Sequence, residues 1–171
     1  MAILPLAVCE QLCCALSRAD TIDAALTHIE AARLAVLGPG LLTVNLDATR
    51  PEDPVDEVQL QRLWSSEALA FPVAGRKRKT ATPWTEQLLR RAEVFVGEGA
   101  GVLAQVFDDH ARIAALGLQA VVNVPLLHGG RCVATFNVLT TRPRWQAAEI
   151  ATVRLLALLA TPWVVGARAK L

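Results

Sequence analysis

The sequence has little charge and almost no excess of either sign. Charged residues make up 19% of its 171 residues, and 17 Lys and Arg against 16 Asp and Glu leave a formal net charge of +1. Globular proteins carry about 25% charged residues. Because a nearly neutral chain has no global field for nucleic acid or an anionic membrane, we expect neither as a partner.

Both ends also lack features of export or membrane insertion. No Lys or Arg precedes Arg18, so the apolar start is missing the basic residues of a secretory signal. Near the other end, residues 150–165 carry a single charge, Arg154. That run is shorter than the ~20 residues that cross a bilayer, and Pro162 interrupts it. We predict a buried helix there and a cytoplasmic location.

Cysteine is scarce and its spacing is unpaired. The four are Cys9, Cys13, Cys14 and Cys132. Cys9 and Cys13 recur with Leu12 and Leu16 at i, i+3, i+4 and i+7, which predicts one apolar helix face where these thiols resemble small core residues. Without a second pair, no metal site is predicted, and unpaired thiols are typical of a reducing cytoplasm. We expect no catalytic cysteine.

What the chain does have is enough apolar sequence for one core. At 53% hydrophobic, it exceeds the about 45–50% of an average domain, so we expect some apolar surface to contact a partner. The length fits one domain over residues 1–171, with its core at about 20–165 and an N-terminal helix in 1–19.

The hydrophobic periodicity predicts an α+β fold. Asp20 is the predicted cap of the first long helix, and Thr82 with Pro83 the start of a later one. We read residues 71–81 as irregular and extended. The predicted helices are 22–37, 83–91 and 147–165, with shorter pieces at 101–107 and 110–117. The predicted strands are 42–48, 58–65, 94–98, 119–127 and 131–139. Neighbouring strands indicate an antiparallel sheet, with terminal helices on one face and the middle helices over the other.

Two asparagines interrupt the most apolar strands, on either side of a predicted hairpin turn at Gly129-Gly130. A three-residue loop could set Asn123 opposite Asn137, whereas a two-residue loop would set Asn123 opposite Phe136. A buried amide needs partners, so each is bonded to backbone or faces a polar ligand. We assign one Asn to each role.

The run from Arg76 to Lys79 is a candidate anion site beside the helix start at Pro83, and a solvated loop is the alternative. In an extended segment only Arg76 with Arg78, or Lys77 with Lys79, act on the same side. Trp84 could stack on a ligand ring or fill the core.

Three consecutive residues, Asp108, Asp109 and His110, include good metal ligands but cannot easily converge on one ion. We expect one aspartate to cap the helix that begins at His110 instead. That helix covers the sheet, which makes His110 a candidate for the pocket.

Five segments in this order carry a resemblance to a known family. They are GRKRKTATPW, VFVGE, VFDDHARIAALGL, NVPLLHGGR and FNVL. Over roughly residues 20–165 the chain resembles the GAF domain family, and in particular bacterial proteins made of a single GAF domain. The resemblance implies a six-stranded or similar antiparallel sheet related to PAS domains, a ligand pocket under the middle helices, and frequent dimers through the terminal helices.

The chain departs from the better-marked members of that family. Phe107-Asp108-Asp109 does not match the Asn-Lys-Phe…Asp-Glu signature of cyclic-nucleotide binders. No cysteine lies between Cys14 and Cys132, where bilin-binding members and free methionine sulfoxide reductases carry theirs. The resemblance therefore implies no particular cofactor.

The function expected is small-molecule sensing or regulation without catalysis, passed on by dimerisation or a partner protein. The candidate ligand-binding residues are Arg76, Arg78, Trp84, Phe107, His110 and Asn123. A thiol-based reductase and an interaction module with a collapsed pocket are the alternatives. We expect a homodimer through the terminal helices, because Leu155, Leu156, Leu159 and Trp163 give the last helix a second apolar face.

Overall fold

Helical segments enclose one sheet in the computed structural model, which describes residues 4–73 and 76–168. The helices are α1 (Leu6–Leu16), α2 (Ile22–Leu37), α3 (Pro83–Thr85, continued by a π-helical turn Glu86–Arg90), α4 (Ala100–Val106), α5 (His110–Ala115) and α6 (Ala147–Arg168). The strands are β1 (Gly40–Asp47), β2 (Val58–Ser65), β3 (Arg76–Lys79), β4 (Phe95–Glu98), β5 (Ala120–His128) and β6 (Arg131–Thr140).

The sheet is antiparallel throughout, in the order β3-β2-β1-β6-β5-β4. This confirms the predicted α+β architecture and each predicted strand to within a few residues. One segment differs from its prediction. Part of the segment read as irregular forms the edge strand β3, because its backbone pairs with β2 from Val58 to Gln61.

The terminal helices cover one face of the sheet. Alternate residues of β1, among them Leu42 and Val44, meet Ile29 of α2 and Val153 of α6 in one buried cluster. Burying each such side chain contributes about 1.5–3 kcal/mol, which makes this layer the main apolar core.

The hairpin between β5 and β6 combines the two-residue turn of one predicted register with the Asn123–Asn137 pairing of the other. Gly129 and Gly130 have φ angles of 58° and 77°, so the turn has two residues with positive φ, as a tight hairpin requires. A register shift between Leu126 and Leu127 then adds one residue to β6. That bulge sets Asn123 directly opposite Asn137 despite the short turn.

Helix α6 is longer than its sequence pattern predicted. It runs to Arg168 with Pro162 inside it, on an exposed side where water can bond the carbonyl that proline leaves unpaired. By length and composition alone it could cross a membrane. Its inner side packs in the core of this fold, and a buried core helix can have the same length and hydropathy as a membrane-spanning one.

The second apolar face predicted for α6 is partly wrong. Leu156 is fully buried in the core, while Leu158 has 67% of its surface exposed. Leu155, Leu159 and Trp163 are half-buried. Leu156 faces the sheet together with Val153 and Ala160, because these positions lie on one side of a helix with 3.6 residues per turn.

The predicted cysteine face and one predicted cap also need correction. In α1, Leu12 is buried but Cys13 is exposed, so only part of that stripe meets the core. Helix α2 is capped by Thr21, whose hydroxyl accepts a hydrogen bond from the Ala24 N–H at 3.1 Å, and not by Asp20.

Candidate ligand-binding pocket

A cavity of about 70 Å³ lies between the second face of the sheet and the segment that includes α3, α4 and α5. A cavity needs about 10–15 Å³ to hold one water molecule, so this one has room for a small compound. Its apolar walls are Leu41, Leu60, Phe71, Trp84, Phe107, Ile113 and Leu139. Its polar and charged walls are Thr43, Asn45, Arg62, Lys77, Lys79, Asp109, Asn123 and Asn137.

The alternation of apolar and polar residues in β1 separates two faces of the sheet, and neither face is open to solvent at its centre. Leu42 and Val44 face the helices, and Thr43 and Asn45 face the opposite side, as their period of two requires. That side is not open to solvent, since Thr43 is only 4% exposed. The polar residues of β1 therefore line the pocket.

A chain of buried side-chain hydrogen bonds forms one wall. The Trp84 indole N–H donates to the side-chain oxygen Oδ1 of Asn123 at 3.0 Å. The side-chain Nδ2 of Asn123 donates in turn to Oδ1 of Asn137 at 2.8 Å. The Asn137 amide lies 3.3 Å from the Thr43 hydroxyl and 3.1 Å from the Thr135 hydroxyl. Both asparagines are thus held by protein partners, which fixes Trp84 over the sheet.

Trp84 is positioned from its own helix as well. The Thr82 hydroxyl accepts from the Thr85 N–H while the Thr85 hydroxyl accepts from the Thr82 N–H, which confirms the predicted helix start. The ring meets Phe107 edge to face, with centroids 6.0 Å apart. These contacts make the aromatic part of the wall rigid.

Two ion pairs close one side of the pocket by joining β3 to the connection between α4 and α5. Lys77 Nζ lies 2.7 Å from Asp109 Oδ2, and Lys79 Nζ lies 2.8 Å from Asp108 Oδ2. We call these four residues the lysine clasp. The aspartates therefore bind lysines, and α5 has no side-chain cap bond from Asp109, contrary to the predicted capping role.

The electrostatics of the lysine clasp follow from these contacts. A hydrogen bond from Lys79 and its charge lower the pKa of Asp108. Burial alone would raise the pKa of Asp109, but the hydrogen bond and charge of Lys77 outweigh it, so that pKa is lowered. Both carboxylates are ionised at neutral pH and compete with any anion for the lysines.

Arg62 brings a cation into the pocket from β2. Only 11% of its side chain is exposed, and burial lowers the pKa of its guanidinium. Its Nη1 donates to the Pro72 carbonyl at 3.3 Å, and the guanidinium carbon Cζ lies 5.3 Å from the centroid of the Phe71 ring. Among the described residues, Nε has no hydrogen-bond partner.

The structure brings together Trp84, Phe107 and Asn123 of the predicted site residues, and leaves three outside the pocket wall. Arg76 and Arg78 lie on the other side of β3 from the lysines, and Arg78 pairs with Glu57 at 3.4 Å. His110 is exposed and its Nδ1 lies 3.0 Å from the Phe107 carbonyl.

The sequence prediction missed the residues that charge the pocket, namely Arg62, Lys77, Lys79 and Asp109. Alternation within the basic run singled out the lysines as one of two sets. It carried no information on which set faces inward.

The family model for the GAF domain matches residues 19–161, which covers most of the chain. The chain belongs to the GAF domain family. Among curated proteins, none matches the sequence at a significant level.

Solved GAF-fold structures are similar to this one over nearly their whole length. The GAF domain of a phosphoenolpyruvate-protein phosphotransferase from Coxiella burnetii has a TM-score of 0.68 and 15% identity, covering 96% of this chain and 95% of that one. The GAF domain of a two-component sensor histidine kinase from Bacillus halodurans has a TM-score of 0.67 and 12% identity, covering 89% and 99%. A domain of a putative two-component sensor histidine kinase from Sinorhizobium meliloti has a TM-score of 0.61 and 17% identity, covering 89% and 97%. At these identities the likeness shows the fold.

We expect the Cys132 thiol of this GAF domain, next to the β5–β6 turn, to react slowly. Cys132 is half-buried in β6, and burial raises its pKa to about 11. It is not among the residues that line the pocket described above. Within residues 4–73 and 76–168, no group of three or more His, Cys, Asp or Glu could hold a metal ion.

We expect iodoacetamide at pH 8 to modify Cys14 at least tenfold faster than Cys132. With a pKa of about 11, roughly one Cys132 thiol in a thousand is a thiolate at that pH, and the thiolate is the reactive form. Peptide mapping by mass spectrometry measures both rates, with urea-unfolded protein as the control in which they converge. Equal rates in the folded protein would contradict the assignment.

Proposed function

We propose that this GAF domain senses a small molecule in the pocket and has no catalytic activity. GAF domains are typically regulatory or sensory parts of signalling proteins. The observation that carries the proposal is the cavity of about 70 Å³ with an apolar wall, a rigid aromatic corner and charged groups at one side. Small-molecule sites commonly combine a mainly apolar lining with a few placed polar groups.

The two alternatives have less support. A thiol-based reductase needs a cysteine that faces the pocket, and the described lining contains none. An interaction module with a collapsed pocket would have no cavity between the sheet and α5. The ligand-binding residues we propose are the described lining residues Trp84, Phe107 and Asn123 together with Arg62 and Lys77.

Native mass spectrometry of freshly purified protein tests the proposal. We expect a co-purifying small molecule that is absent from the Ile113→Trp variant, because Ile113 is 4% exposed, lines the pocket, and a tryptophan there fills it. Circular dichroism checks that the variant is folded. A compound retained equally by both proteins lies elsewhere, and that result contradicts a sensor pocket here.

We also propose that the signal leaves through a homodimer or a partner protein that contacts the terminal helices. Leu6 of α1 is 73% exposed and Leu158 of α6 is 67% exposed, and contact with a partner on these helices would remove both side chains from water. Analytical ultracentrifugation decides the dimer, because a protein that stays monomeric at high micromolar concentration does not form it. Exposed thiols at Cys13 and Cys14 support a reducing, cytoplasmic location.

A further inference from the structure

We propose that the pocket binds a compact molecule with one carboxylate on an apolar body, and that Arg62 holds the carboxylate. This inference rests on the proposed function, since it names the class of ligand for the same pocket. It follows from how the polar groups of the pocket are used, from the balance of charge, and from the apolar walls.

The amides of the pocket are already engaged. Asn123 and Asn137 bond to each other, and their remaining contacts go to Trp84, Thr43 and Thr135. Breaking that chain for a ligand would leave buried polar groups without partners, each costing about 1–3 kcal/mol. Strong polar recognition therefore falls to the charged groups.

Arg62 is the charged group of the pocket wall with the most unused donors. A guanidinium has five N–H donors, and this one makes a single long hydrogen bond, to Pro72, within the described residues. Its nearest carboxylate oxygen, Asp109 Oδ2, is 3.8 Å from Nη2 and is held instead by Lys77 at 2.7 Å. A planar carboxylate matches the free edge of a guanidinium with two parallel hydrogen bonds.

The excess of positive charge at this side of the pocket also favours an anionic ligand. The described residues place four cations here, namely Arg62, Lys77, Lys79 and Arg112. Two carboxylates, Asp108 and Asp109, face them. Arg112 lies 5.8 Å from the Phe71 ring, and its charge contributes to lowering the pKa of Arg62. One further negative charge next to Arg62 would reduce the repulsion between these cations.

The rest of the cavity selects an apolar body of limited size. Leu41, Leu139 and Ile113 are each no more than 5% exposed and form one buried cluster with Phe71. These side chains offer no hydrogen bonds to a sugar or a second charged group. A volume of about 70 Å³ favours a short branched chain or a single ring.

Ligand-observed NMR titrations test the charge preference with matched pairs of probes. Benzoate and 3-methylbutanoate carry the carboxylate, and benzamide and 3-methylbutanamide have the same shape without charge. We expect both carboxylates to bind the wild-type protein and the amides to bind at least tenfold more weakly. Amides that bind as tightly as the acids, or a failure of all four probes to bind, overturn the proposal.

Three substitutions assign the carboxylate to Arg62. Arg62→Met, checked for folding by circular dichroism, should weaken carboxylate binding at least tenfold. Asp109→Asn removes the competing anion and should tighten it severalfold, so the test does not depend on one variant. Arg78→Met, on the other side of β3, should leave it unchanged. Unaltered carboxylate affinity in Arg62→Met refutes the assignment.

The outcomes separate this inference from the proposed function. Amides that bind the wild-type protein but not the Ile113→Trp variant would retain a ligand pocket and remove the anion preference. Probes that bind both proteins equally would show a site elsewhere, and both proposals would then fail.

Discussion

Leu156→Ala is expected to lower the free energy of unfolding by about 2–5 kcal/mol, while Leu158→Ala changes it by no more than about 0.5 kcal/mol. The two leucines are two residues apart on α6, so helix propensity and chemistry are matched. Leu156 is fully buried among residues of the sheet and α2, whereas Leu158 is 67% exposed. The alanine at 156 leaves a cavity that close-packed neighbours fill only in part.

Urea unfolding followed by far-ultraviolet circular dichroism measures both changes, and unchanged m values show that the unfolding reaction is the same. A large loss at Leu158 with little loss at Leu156 would mean that α6 is rotated about its axis. A loss at Leu158 that depends on protein concentration would instead indicate that this leucine lies in a dimer interface.

Glu30→Ala is expected to cost about 3–5 kcal/mol of stability because it leaves a buried guanidinium without its carboxylate. Arg33 has 1% of its side chain exposed. Its Nε and Nη2 donate to the two Glu30 carboxylate oxygens at 2.6 and 2.8 Å, and Nη1 donates to the Gly38 carbonyl at 2.9 Å. The Arg33 guanidinium therefore depends on the Glu30 carboxylate for two parallel hydrogen bonds.

The matched control removes both charges. The double variant Glu30→Leu with Arg33→Met keeps similar volume, and apolar replacement of a buried pair is often neutral or stabilising. We expect it to recover most of the stability that Glu30→Ala loses, measured by the same urea titration. If the double variant is less stable than the single one, the Gly38 hydrogen bond from Arg33, and not charge burial, dominates at this corner.

Local patterns were enough to predict most of the fold. The alternation in residues 42–46 and the apolar stripe in 22–37 each depend on neighbours in sequence, so their elements could be predicted directly. The positions that failed depend on contacts between distant segments. The side of α6 that carries Leu156 is decided by the sheet, and β3 exists because its backbone pairs with β2.

The pocket was less predictable for the same reason. A simple alternation in β2 places Leu60, Arg62 and Trp64 on one side of the sheet. The structure has a bulge there, with Asn45 paired to Arg62 and Val44 paired to Trp64. The bulge turns Trp64 to the other side, where its indole N–H donates to Asp23 at 2.9 Å, and leaves Arg62 in the pocket.

The position of β3 at the edge of the sheet gives its basic run a second consequence. An edge strand exposes unpaired backbone groups that can recruit a strand from another molecule. Residues Arg76–Lys79 are all cationic, so two such edges meeting side by side would bring like charges together. The strand is also only four residues long. The whole run, which includes the pocket residues Lys77 and Lys79, therefore opposes aggregation of the protein through strand addition at this edge.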